Sequence, residues 1–328
     1  MSLSLNFSIN TRRNCLSARN LEDMITYCRE ALTLCPPGHP DRSSALNSLA
    51  NAVRARYEQS GMMKDLEEVI NYHREALTLC PTGHPDRYSS LNNLANSFLT
   101  RYKQSDNGRK KDIQKAITYL SEALTLCPPG HPNRSLSLNN LANVVLARHM
   151  QFRSGEDIGM AITYLREALT FCPSGNPDRP IYLNNIANVI VRYRTTFWTL
   201  EDGMDLEEAI SFHREAVALC PTGHPNRSTF INDCANVVLA YNKQFGRDGT
   251  MKDLKEVITY TREALSLSPI GHPERSVALN NLANAVFARY KLLGSTDDLE
   301  EAITLFTYYR EALKENASGF THLIYLNS

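Results

Sequence analysis

Cysteine and histidine, residue types that often ligate metals or act in catalysis, recur in this chain at equivalent places. Five cysteines directly precede a proline, and five histidines follow a glycine shortly afterwards: Cys35, Cys80, Cys127, Cys172 and Cys220, and His39, His84, His131, His224 and His272. A metal site needs three or four ligands that converge on one point, and a nucleophilic thiol needs an adjacent base. Because these residues occur one per repeat, we expect the cysteines to pack as small apolar side chains and the histidines to form turns. We therefore expect no enzyme activity, no metal and no cofactor.

Asparagine is the other residue type with a fixed spacing, as pairs four residues apart. The pairs are Asn47 and Asn51, Asn92 and Asn96, Asn139 and Asn143, Asn184 and Asn188, Asn232 and Asn236, and Asn280 and Asn284. On a helix the two members lie on one face. Asparagine costs a helix up to about 0.7 kcal/mol relative to alanine, so the full set costs several kcal/mol of a typical stability of about 5 to 15 kcal/mol. A role in binding or in stacking is expected to offset that cost.

The elements that position these residues follow from a recurring Arg-Glu-Ala-Leu or similar segment. Its alanines are Ala31, Ala76, Ala123, Ala168, Ala216, Ala264 and Ala312, which are 45 to 48 residues apart. A period of that size predicts a stack of supersecondary units with one continuous core. The repeat occupies residues 20 to 315.

Each copy contains two helical patterns. The first is shown by Leu91, Leu94, Ala95 and Phe98, an apolar stripe of helical spacing. The second ends in the alanine segment and a proline. Between the second helix of one copy and the first helix of the next lies Pro-x-Gly-His-Pro-x-Arg, whose glycine suits a left-handed helix cap and whose second proline suits the first turn of a helix. The sequence predicts an all-α fold, an α-solenoid.

The repeated alanines and prolines resemble the tetratricopeptide repeat; Ala116, Ala123 and Pro128 match the small residues and the terminating proline of that motif. The His84-Pro85-Asp86 segment before a Leu-Asn-Asn-Leu-Ala helix is similar to the long-period kinesin light chain type. It also resembles the arrays of basidiomycete proteins that carry a CHAT protease domain. The resemblance implies a right-handed superhelix of about six helix hairpins with degenerate terminal helices.

The resemblance also implies a binding site. In such arrays the first helices line a concave groove, where the asparagines would form a ladder that donates to and accepts from the main chain of an extended peptide. One turn further along the first helices, apolar residues would contact the peptide side chains: Leu99, Leu146, Val191, Leu239 and Phe287. The alternative is that the asparagines bond to neighbouring first helices and only set the stacking register.

Both ends of the chain depart from the pattern. Residues 1 to 19 are expected to form a degenerate N-terminal helix or cap, and residues 316 to 328 a C-terminal tail or cap. Ala302 precedes Ala312 by ten residues where seven are usual, so we expect the face of that helix to slip or kink. The tail either covers the last repeat or is a seam for self-association.

Composition restricts the class of partner. Lys plus Arg and Asp plus Glu both total 35, which gives no electrostatic signature of nucleic-acid or membrane binding. We found no apolar run long enough to cross a bilayer and no secretory leader, so we expect a soluble, cytoplasmic protein.

Two functions are consistent with these features. The first is a non-enzymatic scaffold that binds a protein or peptide in its groove. The second is a regulatory arm of a CHAT-type protease or of a nucleotide-binding switch protein, with the effector domain absent from this chain.

Overall fold

In the computed structural model, the described residues are 18 to 104, 110 to 197, 206 to 245, 250 to 272 and 274 to 325. They form thirteen α-helices and no strand. The helices are α1 (Ala18–Thr33), α2 (Arg42–Ser60), α3 (Met63–Thr78), α4 (Arg87–Lys103), α5 (Lys110–Thr125), α6 (Arg134–Phe152), α7 (Gly155–Thr170), α8 (Arg179–Phe197), α9 (Leu206–Leu219), α10 (Arg227–Phe245), α11 (Thr250–Ser266), α12 (Arg275–Leu293) and α13 (Thr296–Tyr325). The even-numbered helices are the predicted first helices and the odd-numbered ones the second helices. Of the predicted N-terminal helix or cap, residues 1 to 19, residues 1 to 17 lie outside the described residues, and residues 18 and 19 belong to α1.

The helices belong to two compact units, one spanning Arg13–Pro173 and the other containing Ser174–Ser328. In the unit of residues 13 to 173, α2 pairs with α3, α4 with α5, and α6 with α7. The second helices α1, α3 and α5 also pack against the first helices that follow them, α2, α4 and α6. Leu94, Phe98 and Leu120 are fully buried in a core to which the five consecutive helices α2 to α6 contribute. The predicted solenoid packing is confirmed within this unit.

The unit of residues 174 to 328 repeats that arrangement with the hairpins α8 and α9, α10 and α11, and α12 and α13. Its first helices also touch one another directly, α8 with α10 and α10 with α12. Ile231, Leu254 and Val286 are fully buried. The first helices of this unit therefore form one layer, and the second helices another.

The turn has the predicted left-handed glycine before α2, α4, α6, α10 and α12, whereas Gly175, before α8, does not have a left-handed φ. Gly83 has a φ of 90°, a left-handed conformation that favours glycine because a Cβ would be strained there. The imidazole of His84 then accepts a hydrogen bond at Nδ1 from the backbone N–H of Asp86, at 3.1 Å. Asn176 replaces the histidine in the fourth copy, and its Oδ1 accepts the equivalent bond from Asp178 at 2.8 Å. The repeated histidines are therefore turn residues, as predicted.

The alanine of the recurring segment is a packing residue in most second helices, although Ala31 in α1 is exposed. Ala76, Ala123, Ala168, Ala216 and Ala264 are all fully buried. A larger side chain at these positions would separate the second helix from its neighbours. The small residue is therefore selected by helix packing, as the sequence indicated.

The last helix differs from its prediction. We expected a slip or kink between Ala302 and Ala312, but α13 is one helix in which the buried residues Asp298, Ala302, Leu305 and Ala312 keep the three-four spacing of a single face. Tyr309, half-buried, occupies the position that alanine has in the other second helices. The ten-residue spacing between Ala302 and Ala312 is therefore accommodated within one helix, with the larger Tyr309 in the usual position of the alanine. The predicted boundary at residue 316 lies inside α13, which continues to Tyr325.

Within the described residues, no helix combines the length and the apolar character needed to span a membrane.

Candidate functional site

The paired asparagines occupy two different environments on the first helices. We name the first members (Asn47, Asn92, Asn139, Asn184, Asn232 and Asn280) the inner column and the second members (Asn51, Asn96, Asn143, Asn188, Asn236 and Asn284) the outer column. Of the inner column, Asn92, Asn139, Asn184 and Asn232 are buried, with 1 to 6% of their surface exposed. The outer column is partly buried at residues 51, 96 and 143 and exposed at residues 188, 236 and 284.

The inner column joins neighbouring first helices. In the unit of residues 13 to 173, the amide Nδ2 of Asn140 in α6 donates to Oδ1 of Asn92 in α4 at 3.2 Å. In the other unit, Nδ2 of Asn281 in α12 donates to the backbone oxygen of Asn232 in α10 at 3.3 Å. Asn140 and Asn281 directly follow an inner asparagine, and we did not single them out from the sequence. The doubled asparagine of Leu-Asn-Asn-Leu-Ala was the signal that could have identified them.

Between α8 and α10 a carboxylate replaces that following asparagine. Asp233 accepts hydrogen bonds at Oδ2 from Nδ2 of Asn184, at 2.8 Å, and from Nδ2 of Asn188, at 2.9 Å. The Oδ1 of Asn184 lies 3.0 Å from Nδ1 of His213, a fully buried residue of α9. Because an amide oxygen accepts, Nδ1 carries the proton in this pair. The network therefore connects a second helix with two first helices.

Burial sets the charge state of the histidines in this layer. Desolvation lowers the pKa of His213 to about 4, although the nearby Asp233 charge acts in the opposite direction. In α3 the equivalent His73 lies 2.9 Å from Oδ1 of Asn47, and desolvation, reinforced by Arg54, lowers its pKa to about 3. Both imidazoles are therefore neutral at pH 7 and act as structural hydrogen-bond donors.

The two ends of the inner column are less buried than its middle. Asn280 lies in α12, the last first helix, and is only partly buried, whereas the following Asn281 is 1% exposed because it contacts α10. Asn47 in α2 is also only partly buried. For the inner column, the structure thus favours the stacking interpretation.

The outer column has few partners of its own. Within the described residues, the side chains of Asn51, Asn96, Asn143, Asn236 and Asn284 make no hydrogen bond, and Asn188 alone is bonded, to Asp233. A side-chain amide has two donor hydrogens and an acceptor oxygen, so these groups remain able to bind an incoming main chain. We therefore restrict the predicted ladder to the outer column.

The five apolar residues predicted beside the ladder also differ in exposure. Leu99 is buried, with 8% exposed, and contributes to the core. Leu146, Val191, Leu239 and Phe287 are partly exposed. The ring of Phe287 stacks with Tyr290 at 6.0 Å between centroids, and the ammonium of Lys291 lies 4.6 Å from its centre. Four of the five predicted residues therefore have side-chain surface that a ligand could contact.

An arginine that the sequence reasoning missed joins consecutive hairpins. Arg87, the first residue of α4, donates from Nε to Glu122 of α5 at 2.8 Å and from Nη1 to the carbonyl oxygen of Cys80, just after α3, at 2.7 Å. The same pattern is made by Arg42 with Glu75 and Cys35, Arg134 with Glu167 and Cys127, and Arg227 with Glu263 and Cys220. The glutamate of the recurring Arg-Glu-Ala-Leu segment thus accepts hydrogen bonds from the arginine that ends the Pro-x-Gly-His-Pro-x-Arg segment. We name this contact the arginine staple.

A second arginine closes individual hairpins. Arg101 of α4 binds Asp112 of α5 through two parallel hydrogen bonds of 2.8 and 2.7 Å, a geometry that strengthens a charged pair. Equivalent pairs are Arg56 with Asp65, Arg148 with Asp157 and Arg289 with Asp298. Tyr193 and Tyr241 occupy the arginine position in α8 and α10. These acidic residues lie in the first turns of the second helices, where each forms an ion pair with the preceding first helix.

The cysteines have the environment predicted for packing residues. Cys80, Cys127, Cys172 and Cys220 are buried and Cys35 is partly exposed. Desolvation raises the pKa of Cys220 to about 11 and that of Cys234 to about 12, so both thiols stay protonated and weakly nucleophilic at neutral pH. Within the described residues, no three His, Cys, Asp or Glu side chains form a group suited to a metal ion.

Known structures share this fold. No protein-family model and no curated protein matches the chain. A variant of a Podosopora anserina protein, described as a kinesin light chain with nearly identical TPR-like repeats, is 18% identical with a TM-score of 0.50; the match covers 72% of this chain and 99% of that one. Human IFIT1, solved as a dimer with PPP-AAAA, is 13% identical with a TM-score of 0.51; the match covers 94% of this chain and 63% of that one.

These likenesses concern the fold, because the identities are low. They confirm the predicted helix-pair repeat, a tetratricopeptide-like solenoid similar to the kinesin light chain type.

Proposed function

We propose that this chain, whose fold is that of tetratricopeptide-like repeats of the kinesin light chain type, is a non-enzymatic scaffold that binds an extended peptide segment of a protein partner. The ligand lies across the first helices and is held by the outer asparagine column. The observation that supports this proposal is the presence of exposed amides, without partners among the described residues, at equivalent places on directly adjoining helices. Asn236 in α10 and Asn284 in α12 are the best examples.

The proposal separates two roles that the sequence left as alternatives. The inner column sets the register between first helices, because Asn92, Asn184 and Asn232 are buried and bonded to the next first helix. The outer column is left for the ligand. Leu239 and Phe287, one turn beyond outer asparagines, add apolar contact for the side chains of the peptide.

Two alanine variants in α10 test this separation. Asn232→Ala removes an inner amide that accepts from Asn281, and we expect it to lower the free energy of unfolding by about 1 to 2 kcal/mol. Asn236→Ala, one turn later, removes no hydrogen bond seen in the structure and replaces a poor helix former, so its stability should be unchanged or slightly higher. Urea unfolding measures both.

Binding is measured with the same two proteins. A display library of random 12-residue peptides is selected against the wild-type chain, and the recovered peptides are titrated into both variants. We expect Asn236→Ala to weaken binding at least ten-fold while Asn232→Ala acts mainly on folding. Recovery of no peptide, or equal binding by Asn236→Ala and wild type, contradicts the proposal.

The remaining functional predictions are part of the same proposal. We propose a cytoplasmic protein that binds neither nucleic acid nor membrane and needs no cofactor; self-association through its terminal repeats stays a prediction. PPP-AAAA, the molecule named with human IFIT1, is the competitor that tests the nucleic-acid prediction. The regulatory-arm alternative stays a prediction, and a CHAT-type or nucleotide-binding reading frame adjoining this one would favour it.

A further inference from the structure

We infer that the outer column of residues 174 to 328 recognises a peptide in the polyproline II conformation, with one asparagine for every three peptide residues. This inference rests on the proposed function and specifies the class of ligand. The column in this unit consists of Asn188, Asn236 and Asn284, all exposed, on α8, α10 and α12.

The spacing of the column follows from the contacts between these helices. Asn188 of α8 bonds to Asp233 of α10 at 2.9 Å, and Asn281 of α12 bonds to the backbone oxygen of Asn232 in α10 at 3.3 Å. Helices in direct contact have axes about 8 to 10 Å apart. The three outer asparagines hold equivalent helix positions, 48 residues apart. Successive amides therefore lie roughly 8 to 10 Å apart along the bound peptide.

A ligand held by equivalent amides must present an equivalent backbone group at that interval. Polyproline II rises about 3.1 Å per residue with three residues per turn, so every third residue, about 9 Å on, returns to the same face. A β-strand rises about 3.3 Å per residue and alternates faces. Its same-face interval is about 6.6 Å, which is too short, and its third residue points away.

The chemistry of the amide favours the same conformation. Polyproline II has no internal hydrogen bonds and its backbone is fully solvated, so each carbonyl can accept from an asparagine Nδ2 and each available N–H can donate to Oδ1. An α-helical ligand would already have satisfied those groups internally. A preformed polyproline II segment also loses little conformational entropy when it binds.

The apolar residues beside the column have the same period. Val191, Leu239 and Phe287 each lie three residues after an outer asparagine and are partly exposed. They are therefore spaced along the peptide like the amides. A proline ring or small apolar side chain at every third position would contact them in turn.

Fluorescein-labelled 12-residue peptides test the inference by anisotropy. The probes are (Pro-Pro-Ala)4, which offers one N–H in every three residues, (Gly-Ser)6, which is flexible, and (Lys-Thr-Val-Thr)3, which favours a strand. We expect the wild-type chain to bind (Pro-Pro-Ala)4 at least ten-fold more tightly than either other peptide. We expect the double variant Asn236→Ala with Asn284→Ala to lose that preference.

Asn71→Ala supplies the matched control, because Asn71 is an exposed asparagine on the second helix α3 and its loss should leave binding unchanged. Melting temperatures show that each variant is folded. Equal binding of the three peptides, or a preference that survives the double variant, overturns the inference. If library-selected peptides still depend on Asn236, only the conformational inference has failed; if none depends on it, the proposed function has failed too.

Discussion

Two asparagines one helical turn apart have opposite roles because only one of them meets the next helix. In α10, Asn232 is 1% exposed and accepts from Asn281, while Asn236 is exposed. A buried amide that loses its partner costs about 1 to 3 kcal/mol, whereas an exposed amide is solvated by water. Folding therefore accounts for the buried inner asparagines, and binding by the outer column stays a proposal.

A buried hydroxyl offers a second test at this scale. Ser268 stands where the other copies have cysteine before proline; it is fully buried, and its Oγ has no partner among the described residues. Burying an unpaired hydroxyl costs about 1 to 3 kcal/mol. Ser268→Cys should therefore raise the free energy of unfolding by about 1 kcal/mol, measured by urea denaturation.

The reverse exchange is the control for that measurement. Cys220→Ser places a hydroxyl in the equivalent buried position, so it should destabilise the chain by a similar amount. If Ser268→Cys lowers the urea midpoint, the view of this position as a simple packing slot is wrong.

At the scale of the helices, the arginine staple determines how one hairpin follows another. Arg134 joins α6 to Glu167 of α7 and to the carbonyl oxygen of Cys127, just after α5. One guanidinium thus fixes the approach of three helices, and its planar arrangement of donors is suited to do so. The contact explains why the histidine turn and the Arg-Glu-Ala-Leu segment recur together.

The last hairpin supplies an internal control for the staple. Arg275 of α12 donates to the carbonyl oxygen of Ser268 at 2.8 Å, but the structure gives it no carboxylate partner within the described residues, because Tyr308 occupies the glutamate position in α13. We expect Arg134→Ala to cost about 1 to 3 kcal/mol and Arg275→Ala clearly less. Urea denaturation of both variants measures the difference, and equal losses would show that the glutamate contributes little.

Sequence reasoning recovered the elements more completely than their contacts. Helical periodicity, Gly83 and the prolines are local signals, and they predicted the helix pairs and the turn. The staple joins residues 33 to 36 positions apart, and the inner column joins residues 48 or 49 apart. Such pairs depend on how the helices stack, which no local pattern specifies. Both sets of asparagines could be identified in the sequence, but their different environments could not be predicted from it.

At the scale of the whole molecule, stability is a sum of similar contacts between neighbours. Two buried neutral histidines, His73 in α3 and His213 in α9, lie in different units. These residues hydrogen-bond inner asparagines and take the place of Leu120 and Leu165 in other second helices. We expect them to make the folded array sensitive to acid.

The direction of that pH dependence follows from the lowered pKa values. An unfolded histidine binds a proton near pH 6.5, whereas the folded pKa is about 3 for His73 and about 4 for His213. Stability should therefore be full above pH 6.5 and fall as the pH decreases from 6.5 towards those values, by up to about 1.4 kcal/mol per pH unit for each histidine. Urea denaturation at pH 7 and pH 5 measures the loss.

The variant His73→Leu identifies the source of the effect, since leucine is native at the equivalent position of α5 and α7. Its stability should change less between pH 7 and pH 5 than that of the wild-type chain. An unchanged difference would assign the acid sensitivity to other groups.

The arginine staple has a consequence for how such a chain can evolve. Each staple takes its arginine and glutamate from one hairpin and its carbonyl oxygen from the segment that ends the hairpin before. Unequal recombination between repeats of the gene, with both breaks at the same position within the repeat, would place each arginine beside the equivalent carbonyl oxygen of another copy. The number of hairpins can therefore change by exchange within the gene, without any new interface having to arise.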